Sequence, residues 1–103
     1  MRMRLRSAAL SDIREIREDG LDRWGAARTR DFLDGLFTAI ERLAEFPLMG
    51  RSRADIHVDL RSISHRGYVV FYLANEDRPT IVAVLHERRN HAAFDFADRL
   101  DDG

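Results

Sequence analysis

LRSISHRGYVVFYLANEDRPTIVAVLHERRNH, residues 60–91, is the stretch whose reading decides the fold. Its apolar run Tyr68–Leu73 is bounded by Gly67 on one side and by Asn75, Glu76, Asp77, Arg78 and Pro79 on the other, and a second run over residues 80–85 is almost wholly β-branched or aliphatic. Short continuous apolar segments, rich in strand formers and punctuated by turn residues, read as strands. Neither run alternates, so little of either face is left to water and another part of the chain must cover the sheet. The N-terminal half is the natural cover. Upstream, Ile56, Val58 and Leu60 alternate with polar residues and predict a strand over 56–60 that runs on past Ser62. Ile63 is out of step with Leu60, which predicts either a bulge near Ser62 or a strand buried on both sides.

Working outward, residues 1–6 (MRMRLR) alternate strictly, the pattern of a half-buried strand whose all-arginine face suits a sheet edge. Ser7 is placed to cap the helix that follows. In that helix, over 8–19, Ala9, Ile13 and Ile16 share a face while Asp12, Arg14, Glu15 and Glu18 are expected to point elsewhere, and Gly20 is expected to end it. After a short connection over 21–25, Ala26–Glu45 shows the strongest periodicity in the chain: Phe32, Leu33, Leu36, Phe37, Ile40, Leu43 and Ala44 form a wide apolar stripe about 30 Å long. Pro47 stops this helix and biases Phe46 out of helical dihedrals. Two helices joined so closely form an antiparallel hairpin. Residues 48–54 are a Gly-containing basic connector, 87–91 leave the sheet, and 92–100 reads either as one short amphipathic helix through Ala93, Phe96 and Leu100 or as a tail. The order β-α-α-β-β-β predicts an α+β fold, an antiparallel meander with the first strand at an edge and the helical hairpin across one face. At 103 residues, one domain over 1–103 is expected.

Composition removes several function classes. With no cysteine there is no disulfide framework, thiolate nucleophile or cysteine-based metal site. No segment approaches the length of a membrane span and no signal-peptide pattern is seen, so a cytoplasmic location is expected. All 17 basic residues are arginine, yet the net charge is −1. A protein that grips nucleic acid by many phosphates carries a basic excess, so direct sequence-specific nucleic-acid binding is not expected. His57, His65, His86 and His91 lack helical i, i+4 spacing and an accompanying carboxylate cluster, which predicts no metal and no cofactor. Serines without a nucleophile elbow read as caps and strand residues. Tyr68, Tyr72 and Trp24 read as core aromatics, the tyrosines with satisfied hydroxyls. Arg88 and Arg89 at the end of the last strand are either a solvated strand end or, with Arg51, Arg53 and Arg61, a basic patch on the sheet side that docks an acidic protein surface.

Taken together, AALSDIREI in the first helix, Trp24 and Gly25 before the second, AIERLAEFPLMGRSR at its end, LRSISHRGYVVFY and VAVLHERRNH stand in an order that resembles the RelE/ParE superfamily of toxins from bacterial type II toxin–antitoxin modules, and within it the ParE branch. The Pro-x-x-Gly-Arg connector (Pro47, Gly50, Arg51) and the LRS, Y-x-x-F-Y, LH-x-R-R succession carry most of the likeness. The resemblance implies one of two activities. RelE-like relatives cut messenger RNA on the ribosome with basic side chains on the sheet and a tyrosine near the C-terminus, which requires proton transfer and charge stabilisation. Their two lysine sites fall here on His57 and Asp59, an arginine site on Val69 and the tyrosine on Phe94. Only Arg88 keeps a matching type, so a ribosome-dependent endoribonuclease is the alternative rather than the leading expectation. ParE-like relatives instead poison DNA gyrase by binding, and each is neutralised by a co-expressed antitoxin. The likeness therefore implies a non-catalytic gyrase inhibitor in a hetero-oligomer with a ParD-like antitoxin. The antitoxin segment would lie in a groove between the first two helices and along the sheet edge. Arg51, Arg53, Arg61, Arg88, Arg89 and Phe94 are the candidate target- or antitoxin-binding residues.

Overall fold

The structure is a computed structural model that describes residues 3–74 and 78–100. The expected strand residues Met1 and Arg2 and the turn residues Asn75, Glu76 and Asp77 lie outside the described residues. The elements are β1 (Arg4–Leu5), α1 (Ser7–Arg23), α2 (Ala26–Glu45), β2 (Arg51–Ser52), β3 (Leu60–His65), β4 (Tyr68–Leu73), β5 (Thr80–His86), a 3₁₀ turn over His91–Ala93 and α3 (Ala97–Leu100).

The sheet has the order β1-β5-β4-β3-β2. β1 runs parallel to β5 at one edge, and the remaining neighbours are antiparallel. This is the predicted meander with the first strand at an edge. Arg66 (φ 45°) and Gly67 (φ 88°) make the two-residue β3–β4 turn, the backbone that a tight hairpin requires. Arg66 is held there by an ion pair to Asp31 of α2 at 2.9 Å.

Near Ser62 the structure answers the two-way expectation. β3 pairs regularly with β4 through Ser62 opposite Phe71, while Leu60 packs on one face and Ile63 on the other. Burial on both sides accounts for the phase slip, and the sheet's irregularity falls between β4 and β5 at Phe71 and Tyr72.

Several boundaries differ from the sequence reading. No strand forms over 56–59: the Arg53 N–H donates to Leu60 O at 2.8 Å, and Ile56 N–H and His57 N–H both donate to Arg53 O, closing a loop. Val58, predicted to face inward, is 74% exposed. The strand before β3 is instead Arg51–Ser52, inside the supposed connector. Ser7 is the first helical residue rather than a cap; Arg6 holds the N-cap position without a side-chain bond.

Gly20 does not end α1, which continues to Arg23. A Cβ on Gly20 would sit 2.9 Å from Thr29 Oγ1 and 3.1 Å from Trp24 Cε3, so this glycine lets the helices close on each other. The turn glycine is Gly25, at φ 85°, a conformation that costs a side chain but not glycine.

Both faces of the sheet are covered. Ala9, Ile13 and Ile16 of α1 and Phe32, Leu36, Ile40 and Leu43 of α2 bury one face against Val70, Tyr72, Ile81 and Val84. Burial of each of the larger side chains among them contributes about 1.5–3 kcal/mol. On the other face Leu60, Phe71, Leu73, Val82, Ala83 and Leu85 pack with Phe96, flanked by Ile56, Phe94 and Leu100. Residues 91–100 are therefore a second cover, only four residues of it α-helical.

Candidate functional site

Three surfaces gather the residues that the sequence singles out. The first is a slot of about 300 Å³ between α1 and α2, lined by Arg17, Leu21, Ala26, Thr29, Arg30, Leu33, Asp34 and Phe37. Leu21 and Phe37 stay partly exposed there. The predicted stripe of α2 is wider than what the sheet takes up, and the surplus forms this slot. Arg17 and Arg30 make no ion pair among the described residues.

The second surface follows α2. Pro47, Leu48, Met49 and Gly50 are pinned from beneath by Tyr72, which is fully buried. Its hydroxyl donates to Pro47 O at 2.7 Å and accepts from the Gly50 N–H at 2.9 Å. A Cβ on Gly50 would collide with that hydroxyl, which gives the Pro-x-x-Gly spacing a physical cause. Burial pushes the Tyr72 phenol above its ordinary value of 10.0, against the opposing pull of the Gly50 N–H and of Arg61. Arg61 completes the lock: its Nη1 donates to Gly50 O at 2.8 Å and Leu48 O at 3.4 Å. Arg61 lies directly across from Tyr72 on the helix-covered side.

Arg53 belongs to the opposite face. Its guanidinium stacks 5.3 Å from the Phe71 ring and makes two 3.1 Å bonds to Asp55. Those bonds hold the exposed Asp55 carboxyl below its ordinary value. Arg51, on the edge strand β2, is exposed.

The third surface is the far end of the sheet. Arg88 and Arg89 are both exposed where the chain leaves β5. The Arg89 guanidinium lies 4.6 Å from the Phe94 ring, Arg99 lies 5.0 Å from the same ring, and Phe94 meets Phe96 edge-on at 4.8 Å. Such cation–ring contacts hold an arginine in place while leaving its charge available. The structure thus brings Arg89 and Phe94 together, leaves Arg88 exposed as Arg89's neighbour in the chain, and sets Arg61 and Arg53 on opposite faces of the sheet.

Of the other positions matched to RelE-like relatives, His57 is exposed with its Nδ1 accepting the Asp59 N–H at 3.4 Å, and Val69 is half-buried. Among the described residues no group of three or more His, Asp or Glu is placed to hold a metal ion.

The sequence reading turns Asp12 away from the apolar face of α1 and misses its pairing with Arg99; the structure buries it on the inner face. Asp12, on the inner face of α1, accepts the Val84 N–H at 2.9 Å and two bonds from Arg99, at 2.6 and 3.0 Å. Arg99 also donates to Val82 O at 3.0 Å. The pair satisfies backbone groups of β5 beyond the point where β1 stops and ties the C-terminal cover to α1. One signal was present: an aspartate at i+3 from Ala9 and i−4 from Ile16, on an otherwise apolar face.

The family model described as "ParE toxin of type II toxin-antitoxin system, parDE" matches residues 3–91. The chain is 34% identical over 85 residues to the protein named Toxin ParE1 of Mycobacterium tuberculosis (strain ATCC 25618 / H37Rv), covering 82% of this chain and 87% of that one. It is 34% identical over 61 residues to Toxin ParE3 of Caulobacter vibrioides, covering 59% and 61% respectively. A solved structure titled "Chromosomal ParDE TA system from P. aeruginosa" superposes with a TM-score of 0.69 over 82% of this chain and 96% of that one; at 12% identity the likeness bears on the fold alone. With a family match over most of its length and a relative above 30% identity, this chain belongs to the ParE toxins of type II toxin–antitoxin systems.

Proposed function

We propose that this toxin acts in the cytoplasm by binding DNA gyrase rather than by catalysis, and that a ParD-like antitoxin neutralises it in a hetero-oligomer. The observation that carries the reading is membership of the ParE family across residues 3–91. The slot between α1 and α2 supports the antitoxin half. Its apolar floor suits the buried stripe of an amphipathic segment, and Arg17 and Arg30 on its walls suit carboxylates beside that stripe. On the target side, Arg89 stacked on Phe94 and the exposed Arg88 offer cations at the end of β5, with Arg51 on the β2 edge as a further cation. Docking an acidic surface needs no proton relay.

Expressed alone, the chain is expected to arrest growth, and the purified protein to block gyrase supercoiling or trap cleaved DNA. The double variant Arg88→Glu/Arg89→Glu should weaken that effect at least tenfold while leaving the fold intact. Growth arrest with gyrase activity and DNA integrity both untouched would sink the target assignment. Ribosome-dependent cuts within translated codons would identify messenger RNA as the target instead, and harmless expression of the folded chain would mark it as an antitoxin-binding remnant.

A further inference from the structure

The lock described above has a second side. Beneath the connector every anchor is firm. The Phe46 N–H donates to Arg42 O at 2.9 Å and the Met49 N–H to Phe46 O at 3.1 Å. Tyr72 and Arg61 take up Pro47 O, Leu48 O, Gly50 O and the Gly50 N–H. Above it, Phe46 is 55% exposed, Leu48 66% and Met49 47%.

Three large apolar side chains within four positions are thus held out in water by a backbone fixed from below. A floppy loop with this composition would fold its side chains onto the nearest apolar surface. This one is prevented from doing so, which is the arrangement that lowers the ordering cost of binding. Together with Pro47 and Arg42 these residues line an open depression of about 520 Å³. It is separate from the α1–α2 slot, with which it shares no residue.

We propose that this depression is a docking site for a linear peptide segment of a partner protein, one that carries two apolar anchors with a carboxylate beside them. Size argues for a peptide. Three side chains about half exposed offer roughly 300–400 Å² of apolar surface, comparable to the largest patch on a typical monomer. A stable dimer buries about 800 Å² on each partner, so a second copy of this chain would be held too weakly here. Charge argues for the carboxylate. Arg42 is the one charged side chain lining the depression, is exposed, and has no ion pair or side-chain hydrogen bond among the described residues. A guanidinium at the rim of an apolar pocket selects an acidic neighbour to the anchors by a charge-assisted, bidentate bond.

The test is a phage-displayed library of random 12-residue peptides panned on the folded chain, with the Leu48→Asp variant as soluble competitor to remove binders of other surfaces. The expected result is enrichment of sequences with two apolar residues and an Asp or Glu. A synthetic peptide of the selected sequence should bind at least tenfold more weakly to Leu48→Asp and to Phe46→Ser. Leu48, Phe46 and Arg42 are all exposed, so substitutions at them keep the fold, which circular dichroism checks. Panning on Arg42→Glu should turn the selected charge from acidic to basic. Failure to enrich over the competitor would overturn the proposal, as would selected peptides without a carboxylate or indifferent to Arg42→Glu. A concentration-dependent dimer abolished by Leu48→Asp in sedimentation would overturn it in favour of a second copy.

Discussion

On one face of the sheet, two helices of 17 and 20 residues set aliphatic side chains against Val70, Tyr72, Ile81 and Val84. On the other face, a 3₁₀ turn and a four-residue helix cover a comparable strip with Phe94, Phe96 and Leu100. The helical cover holds itself together, since its backbone bonds are internal and its contacts repeat every turn. A helix of four residues has no such reserve. The C-terminal cover is held instead by discrete ties: Arg99 to Asp12 and Val82, Phe96 against Phe71 at 5.0 Å, and His91 against Phe71 at 5.1 Å. Distributed packing melts with the whole domain, whereas a cover fastened at a few points can detach alone.

The comparison breaks most visibly if core truncations on the two faces cost the same. Leu36→Ala, at a fully buried site of α2, is expected to lose about 2–5 kcal/mol of global stability. Phe96→Ala removes a larger side chain, yet should lose only about 1–3 kcal/mol, because the segment it anchors frays before the domain unfolds. Urea unfolding of both variants measures the gap, and equal losses would erase the distinction. Arg99→Ala comes next, at about 2–3 kcal/mol. It strands the Asp12 carboxylate, whose side chain is 12% exposed, and leaves Val82 O without its donor. Amide exchange should then accelerate over 91–100 more than over α2, and Asp12→Asn in the same chain should recover part of the loss.

The two covers also differ in how far they can be read from residues alone. α2 is legible because the same apolar spacing repeats for twenty positions, and the two central strands because nothing polar interrupts them. The C-terminal cover is not, because its periodicity is too short to separate a helix from a tail, and its main tie joins positions 87 residues apart. The loop over 53–60 misleads for the opposite reason. Ile56, Val58 and Leu60 keep a perfect strand alternation, but three backbone bonds to and from Arg53 outcompete it. The candidate site divides along the same line. Arg89 and Phe94 are near one another in sequence and meet in space. Arg61 could not be assigned to a face until the register opposite Tyr72 was known.

The smallest expected effect concerns the Tyr72 lock, which belongs to the helical face and should titrate with the domain rather than with the C-terminal cover. Tyr72→Phe removes the donor to Pro47 O and the acceptor of the Gly50 N–H, a loss of about 1–2 kcal/mol at neutral pH. The sign of the pH effect follows from the raised phenol. Burial disfavours the phenolate in the folded state, so the stabilisation is complete below the unfolded value near 10.0 and is lost as pH rises through the higher folded value. Composition makes this window unusually clean. The chain has no lysine and no cysteine, and its arginines stay charged. Only Tyr68, also raised by burial and by Asp19, and Tyr72 titrate there among the side chains. Stability of the native chain should therefore fall steeply above pH 10, and Tyr72→Phe should flatten that fall while Tyr68→Phe flattens the remainder. An alkaline limb unchanged by Tyr72→Phe would mean that the connector opens before the helical face does, which would move Pro47 and Gly50 to the loosely fastened side of the comparison.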